Sequence, residues 1–201
     1  MPKLVPTAAV ADEDARKRLF EALVDRMKSK GVRVDLHDMA HIFGGGVYSH
    51  EGMTKKGPQV MVGPNLANKT EGISILAHEA GHAEFDRELL GKLVQSKMLR
   101  GAAGMAIPIG TLIAATATGS LARRIALSAG TAAALQVPLL TGEGVASMRG
   151  HKMLEEHGAS PEQLDHMKDM AVRAGSSYLI PGALSVGSAL IFAALSHAAE
   201  P

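Results

Sequence analysis

The chain has 201 residues, 21 basic and 20 acidic side chains, and no cysteine. That length accommodates one domain with a proper core, or a smaller domain with membrane segments. The charge balance gives no footing for nucleic-acid binding. The lack of cysteine excludes disulfides, thiolate metal sites and a cysteine nucleophile.

The opening MPKLVPTAAVADEDARKRLF does not read as a secretory signal, because its apolar patch is short and charges follow at once. Residues 11–30 place Leu19, Phe20, Leu23, Val24 and Met27 at helical spacing on one face. Asp12 and Asp14 near its start and Lys28 and Lys30 near its end complement the helix dipole, and Gly31 ends it. VRVDL alternates like a short strand, and the glycine-punctuated FGGGVYSHEGMTKKGPQ reads as loop or as a strand pair with turns. QVMV, residues 59–62, is a further strand candidate. With the turn Gly63-Pro64-Asn65 it is either an exposed edge to which a peptide could add or an ordinary paired strand. A helix then begins near Asn68 or Thr70. No internal repeat, phosphate loop, dinucleotide fingerprint or G-x-S-x-G elbow is present.

Charge is unevenly distributed after residue 100. No Asp, Glu, Lys, Arg or His occurs from Gly101 to Ala122, from Ile125 to Gly142, or from Ala174 to Ser196. Arg123 and Arg124 alone separate the first two runs. Each run is about the ~20 residues that a bilayer-crossing helix needs. The pattern predicts a hydrophobic helical hairpin over 101–142 and a C-terminal hydrophobic helix over 174–198. Their Ala, Gly, Ser and Thr content suits tight packing in lipid and equally suits a soluble bundle; length and absence of charge favour the bilayer. The elements together predict a mainly α fold with a small β element.

The chemistry lies in ILAHEAGHAEF, residues 75–85. In a helix His78 and His82 share a face one turn apart, so both imidazoles can reach one zinc ion. Glu79 borders that position from the next direction round the helix, where a base could take a proton from metal-bound water. This is the H-E-x-x-H pattern of metallopeptidases. Ala80 and Gly81 leave room beside the metal. His37 and His41, with Asp38 between them, repeat the histidine spacing, but their surroundings do not predict a helix long enough to fix both rings, and the stretch reads as structural.

A catalytic zinc takes three protein ligands and leaves a fourth position open. Glu84, Asp86 and Glu88 are near in sequence, but Glu84 points to another face of the helix and Glu88 lies more than one turn past His82. A carboxylate from another helix reaches more easily, and Glu143, at the end of the 125–142 run, is one such residue. Position alone would favour reading it as a surface residue at a helix start.

The string E-G-V-A-S-M-R, Glu143 to Arg149, followed by Leu154, resembles the second motif, E-x-x-A-S-x-R, of the YugP-like neutral zinc metallopeptidases, small membrane-bound enzymes. ILAHEAGHA resembles that family's metal helix. The likeness covers roughly residues 20–195, with its strong matches in these two motifs. It implies a zincin-like catalytic domain over 1–201 with the hydrophobic hairpin inserted. It implies His78, His82 and Glu143 as ligands of Zn2+ and Glu79 as general base and acid. Ser147, one turn after Glu143, stands where related zinc peptidases place an aspartate that orients a histidine ligand. This chain departs from members with an N-terminal membrane anchor by opening on a charged amphipathic helix.

The expected reaction is hydrolysis of peptide bonds in a peptide or protein substrate at or near a membrane. Arg149, His151 and Tyr178 are candidate donors to the developing oxyanion. Lys92, Lys97, Arg100, Arg149, Lys152, Lys168 and Arg173 outnumber Arg123 and Arg124 at the hairpin tip. The positive-inside bias therefore predicts a multi-pass protein with its active site facing the cytoplasm. The alternatives are a soluble zinc peptidase with a buried hydrophobic bundle and a non-enzymatic membrane scaffold with a structural metal. Oligomeric state is left open.

Overall fold

The amphipathic stretch near the N-terminus folds as helix α1, Ala8–Ser29, and buries Leu19, Phe20, Leu23 and Met27. The computed structural model describes residues 8–38, 46–49, 57–67, 69–95, 97–116 and 120–198. Because α1 starts at Ala8, Asp12 and Asp14 stand beyond its first turn, and the dipole complement at that end is weaker than the sequence suggests. Asp12 instead pairs with Arg16 one turn on. Gly31, at φ 69°, supplies the left-handed residue that closes the helix.

Three short strands follow: β1 (Arg33–Leu36), β2 (Gly46–Ser49) and β3 (Gln59–Val62). The sheet order is β1-β3-β2, with β1 parallel and β2 antiparallel to β3. Val60 therefore stands between Val34 and Tyr48. All four residues of β3 are buried. The exposed-edge reading of QVMV is thus corrected: it is the central strand, and its apolar run fills both faces of the sheet.

A single 3-10 turn, Pro64–Leu66, leads into α2, Thr70–Phe85. This helix is buried nearly all round. Among the described residues four more helices follow: α3 (Leu89–Gln95), α4 (Lys97–Ala115), α5 (Leu121–Glu156) and α6 (Pro161–Ala198). The fold is mainly helical with a small three-stranded sheet. Neither hydrophobic segment ends where its charge-free run ends. Helix α5 continues unbroken through Gly142, Glu143 and Gly144, and α6 begins well before Ala174. Glu143 is therefore a mid-helix residue and not the start of a new helix.

The chain divides into two compact units. The first comprises residues 1–88 and 144–172. Its core gathers Leu23 and Met27 of α1, Val60 of β3, Leu76 of α2, Leu154 of α5 and Met167 of α6. The second comprises residues 89–143 and 173–201. There Ile107 and Leu139 pack with Leu135 and Tyr178, and Ala115 packs with Ala189 and Ala193. Ser128 Oγ donates to the Thr111 carbonyl at 3.1 Å, joining α5 to α4. Helices α5 and α6 are long and apolar enough to cross a membrane.

In the first unit one ion cluster ties three helices. Arg26 of α1 donates to Glu84 of α2 at 3.0 Å and to Glu156 of α5 at 2.7 Å, and Lys30 reaches the same Glu84 oxygen at 2.5 Å. Burial acting alone would raise the Glu84 carboxyl, but the combined hydrogen bonds and charges of Lys30 and Arg26 outweigh it and hold the group below the usual carboxylate range. A group depressed on folding stabilises the native state in full above its unfolded value, about 4.3, and loses that contribution as pH falls through the folded value. The thermal midpoint of the wild type is expected to fall below about pH 4, and Glu84→Gln should flatten that acid limb while lowering the midpoint at neutral pH. Circular-dichroism melts at stepped pH check this; an unchanged acid limb in the variant would remove Glu84 from the account.

Candidate metal centre

Helix α2 sets the two histidines. His78 and His82 are 6% and 5% exposed, so the rings are held away from bulk water. Their planes are nearly perpendicular, at 86°, with centroids 4.7 Å apart. The two Nε2 atoms converge to 3.2 Å. Nitrogens bound to one ion at 2.0–2.1 Å in tetrahedral geometry stand roughly 3.3 Å apart. The pair is therefore already spaced as two ligands of one ion.

The third member comes from α5. Glu143 is 6% exposed, and one ligand atom from each of His78, His82 and Glu143 lies within 4.8 Å of the others. This buried His-His-Glu group could hold a metal ion, and its donor set of two imidazoles and one carboxylate fits a borderline divalent cation.

Close backbone packing brings the third member in. A Cβ on Gly81 would lie 2.0 Å from the carbonyl oxygen of Ala146, and one on Gly150 would lie 2.6 Å from that of Ala77. Helices α2 and α5 thus touch main chain to main chain at two levels, which only glycine permits. The expectation that Gly81 leaves room for the metal is replaced by a different role: it admits α5. Ala146 lies three residues beyond Glu143, so this contact sets the height at which α5 presents the carboxylate.

Ser147, one turn beyond Glu143, has its Oγ 3.1 Å from Nδ1 of His78. With Nε2 turned toward the metal position, a neutral ring keeps its proton on Nδ1 and donates it to Ser147. The hydroxyl therefore fixes both the tautomer and the rotation of the ring. Glu79 is half-buried and follows His78 directly on α2, about 100° further round the helix.

The other carboxylates weighed as ligands are engaged elsewhere. Glu84 holds Arg26 and Lys30. Asp86 accepts the Tyr48 hydroxyl at 2.8 Å, a clamp from β2 to the end of α2 that the sequence reading missed. Burial, then the hydrogen bond to Asp86, drives the Tyr48 phenol well above its ordinary value. Glu88 pairs with Arg149 at 2.7 Å.

Of the oxyanion candidates, Arg149 has this ion pair and lies 5.5 Å over the Phe85 ring. His151 has its Nδ1 3.8 Å from Glu155. Tyr178 packs in the second unit against Ile107 and Leu139. His37 is exposed just after β1, and His41 lies outside the described residues.

Two substitutions separate placement from ligation. Gly81→Ala should push α2 from α5 and lower the uptake of added zinc relative to wild type, measured by plasma mass spectrometry on protein whose helical circular dichroism is retained. Ser147→Ala should keep the ligands but weaken zinc affinity by roughly 10–100-fold in a chelator competition. Wild-type affinity in the second variant would remove the hydroxyl from the site.

A scan against protein-family models matches none, and searches of curated proteins and of solved structures return no match. The residues of the site are what its functional reading rests on.

Proposed function

We propose that this chain is a zinc-dependent metalloendopeptidase working at a membrane, with His78, His82 and Glu143 as metal ligands and Glu79 as general base and acid. The observation that carries the reading is the buried convergence of two Nε2 atoms 3.2 Å apart with the Glu143 carboxylate, beside a glutamate on the same helix. The likeness of ILAHEAGHA and E-G-V-A-S-M-R to the YugP-like peptidases supports it. When bound, the zinc ion supplies Lewis acidity to the scissile carbonyl and lowers the pKa of water. Glu79 accepts the proton of the attacking water and delivers it to the leaving amine nitrogen as the carbon–nitrogen bond breaks. Ser147 keeps the His78 ring from turning.

Among the described residues the group has three members, and a three-ligand site suits catalysis, because structural zinc sites close all four positions with protein. A non-enzymatic scaffold is the weaker reading for that reason. The soluble-bundle reading is weaker because the second unit reverses the soluble pattern. Ile113 and Leu184 are 65% and 67% exposed, whereas Thr111, Ser128 and Gln136 are buried between helices. We therefore take α4, α5 and α6 as membrane helices, with the more basic side, that of the motifs, in the cytoplasm.

Glu79→Gln should retain zinc near one ion per chain while casein hydrolysis falls about 10²–10⁴-fold, the range general acid–base groups contribute. Turnover equal to wild type would remove Glu79 from its role, and metal-free protein with full activity would remove the mechanism.

A further inference from the structure

Helix α5 carries a charge-free segment and a metal-ligand candidate on one unbroken rod, Leu121–Glu156. Its first buried charge is Arg124 and the next ionisable residue is Glu143. The nineteen residue steps between them rise about 28 Å at 1.5 Å each, against a hydrocarbon core of about 30 Å. If the rod crosses the bilayer with Arg124 at one boundary, Glu143 emerges at the other. No loop or hinge intervenes to change that depth, since Gly142 and Gly144 are both helical.

The surface of the second unit says what surrounds the rod. Ile109, Ile113, Val137, Ile180, Leu184 and Ile191 are all more than half exposed and belong to three different helices. Inside, beside Ile107 and Leu139, contacts run through small and polar groups: Ser128 bonds to the Thr111 carbonyl, and the Gln136 amide lies against Gly182. Large apolar side chains outward with small and polar ones inward is the arrangement that lipid rewards and water penalises.

From these two observations, and resting on the peptidase reading above, we infer that the substrates are chains anchored in the same bilayer, cut in the extended stretch next to its surface. A carboxylate ligand at the hydrocarbon boundary puts the scissile bond within about one or two helical turns of the lipid headgroups. A folded soluble protein cannot bring an internal bond that close without penetrating the interface. An unstructured segment leaving a membrane anchor passes through that layer by necessity, and shared anchoring raises its effective concentration at the site.

The test uses the full chain reconstituted in phosphatidylcholine vesicles with a helix-anchored reporter. The reporter carries an unstructured tail of about 40 residues, built from identical repeats of one casein-derived sequence. A soluble protease added separately establishes that every repeat is accessible. Cuts, mapped by mass spectrometry, should fall within about ten residues of the anchor, with the first repeat cleaved roughly tenfold more often than the distal ones. An even distribution, or cleavage of free casein with the reporter untouched, overturns the inference and leaves the peptidase reading standing. Absence of any cleavage that Glu79→Gln removes, on reporter and free casein alike, overturns the peptidase reading and this inference with it.

Discussion

The carbonyl oxygen of Ala146 occupies the space that any side chain on Gly81 would need, and the carbonyl of Ala77 stands in the same relation to Gly150. These two main-chain contacts are the constraint on which the candidate centre depends. They let α5 approach α2 closely enough for the Glu143 carboxylate to join the histidines. They also put Ser147 within 3.1 Å of the His78 ring. A helix pair held apart by one methyl group on each axis would keep the motif and lose the centre, because metal ligation tolerates errors of only a few tenths of an ångström.

Around this contact the first unit spends its charge on position. Arg26 and Lys30 hold Glu84, Arg149 holds Glu88, and Tyr48 holds Asp86. Each of these acids lies on or just after the metal helix, and each is drawn to its own partner. These three acids each have a partner outside the His-His-Glu group, and the carboxylate that joins the group arrives from a separate helix. Such pairs add little to stability individually when they are partly exposed, but they fix the end of α2 against α1, β2 and α5. The buried Ser74 shows the same economy, donating to the Thr70 carbonyl at 3.0 Å while its oxygen lies 3.2 Å from His166 of α6.

The second unit solves a different problem. Its helices present large aliphatic groups outward and meet through Ala115, Ala189, Ala193 and Gly182. Close approach of small residues gains dispersion contacts, and the Ser128 hydroxyl bond adds direction. Helix α5 belongs to both regimes, apolar over 125–142 and held close to α2 further on, at Ser147 and Gly150. Pro138 within it removes one hydrogen-bond donor to the turn before, yet the helix continues.

What the sequence by itself determined is whatever helix and strand periodicity can reach: the face of α1, the pairing of His78 with His82 across one turn, the existence of β3, and the three charge-free runs. These depend on neighbours within about a turn, so local order is enough. Glu143 was legible only through the likeness of its motif, since 61 positions separate it from His82 and spacing says nothing about distance in space. The tertiary structure alone decided that β3 is central, because its partners come from residues 33–36 and 46–49, whose pairing no local pattern encodes. It alone decided that α5 runs unbroken through Glu143, which position alone placed at a helix start. And it alone decided what Gly81 is for: a missing side chain has no signature in a sequence until the backbone that fills its place is known.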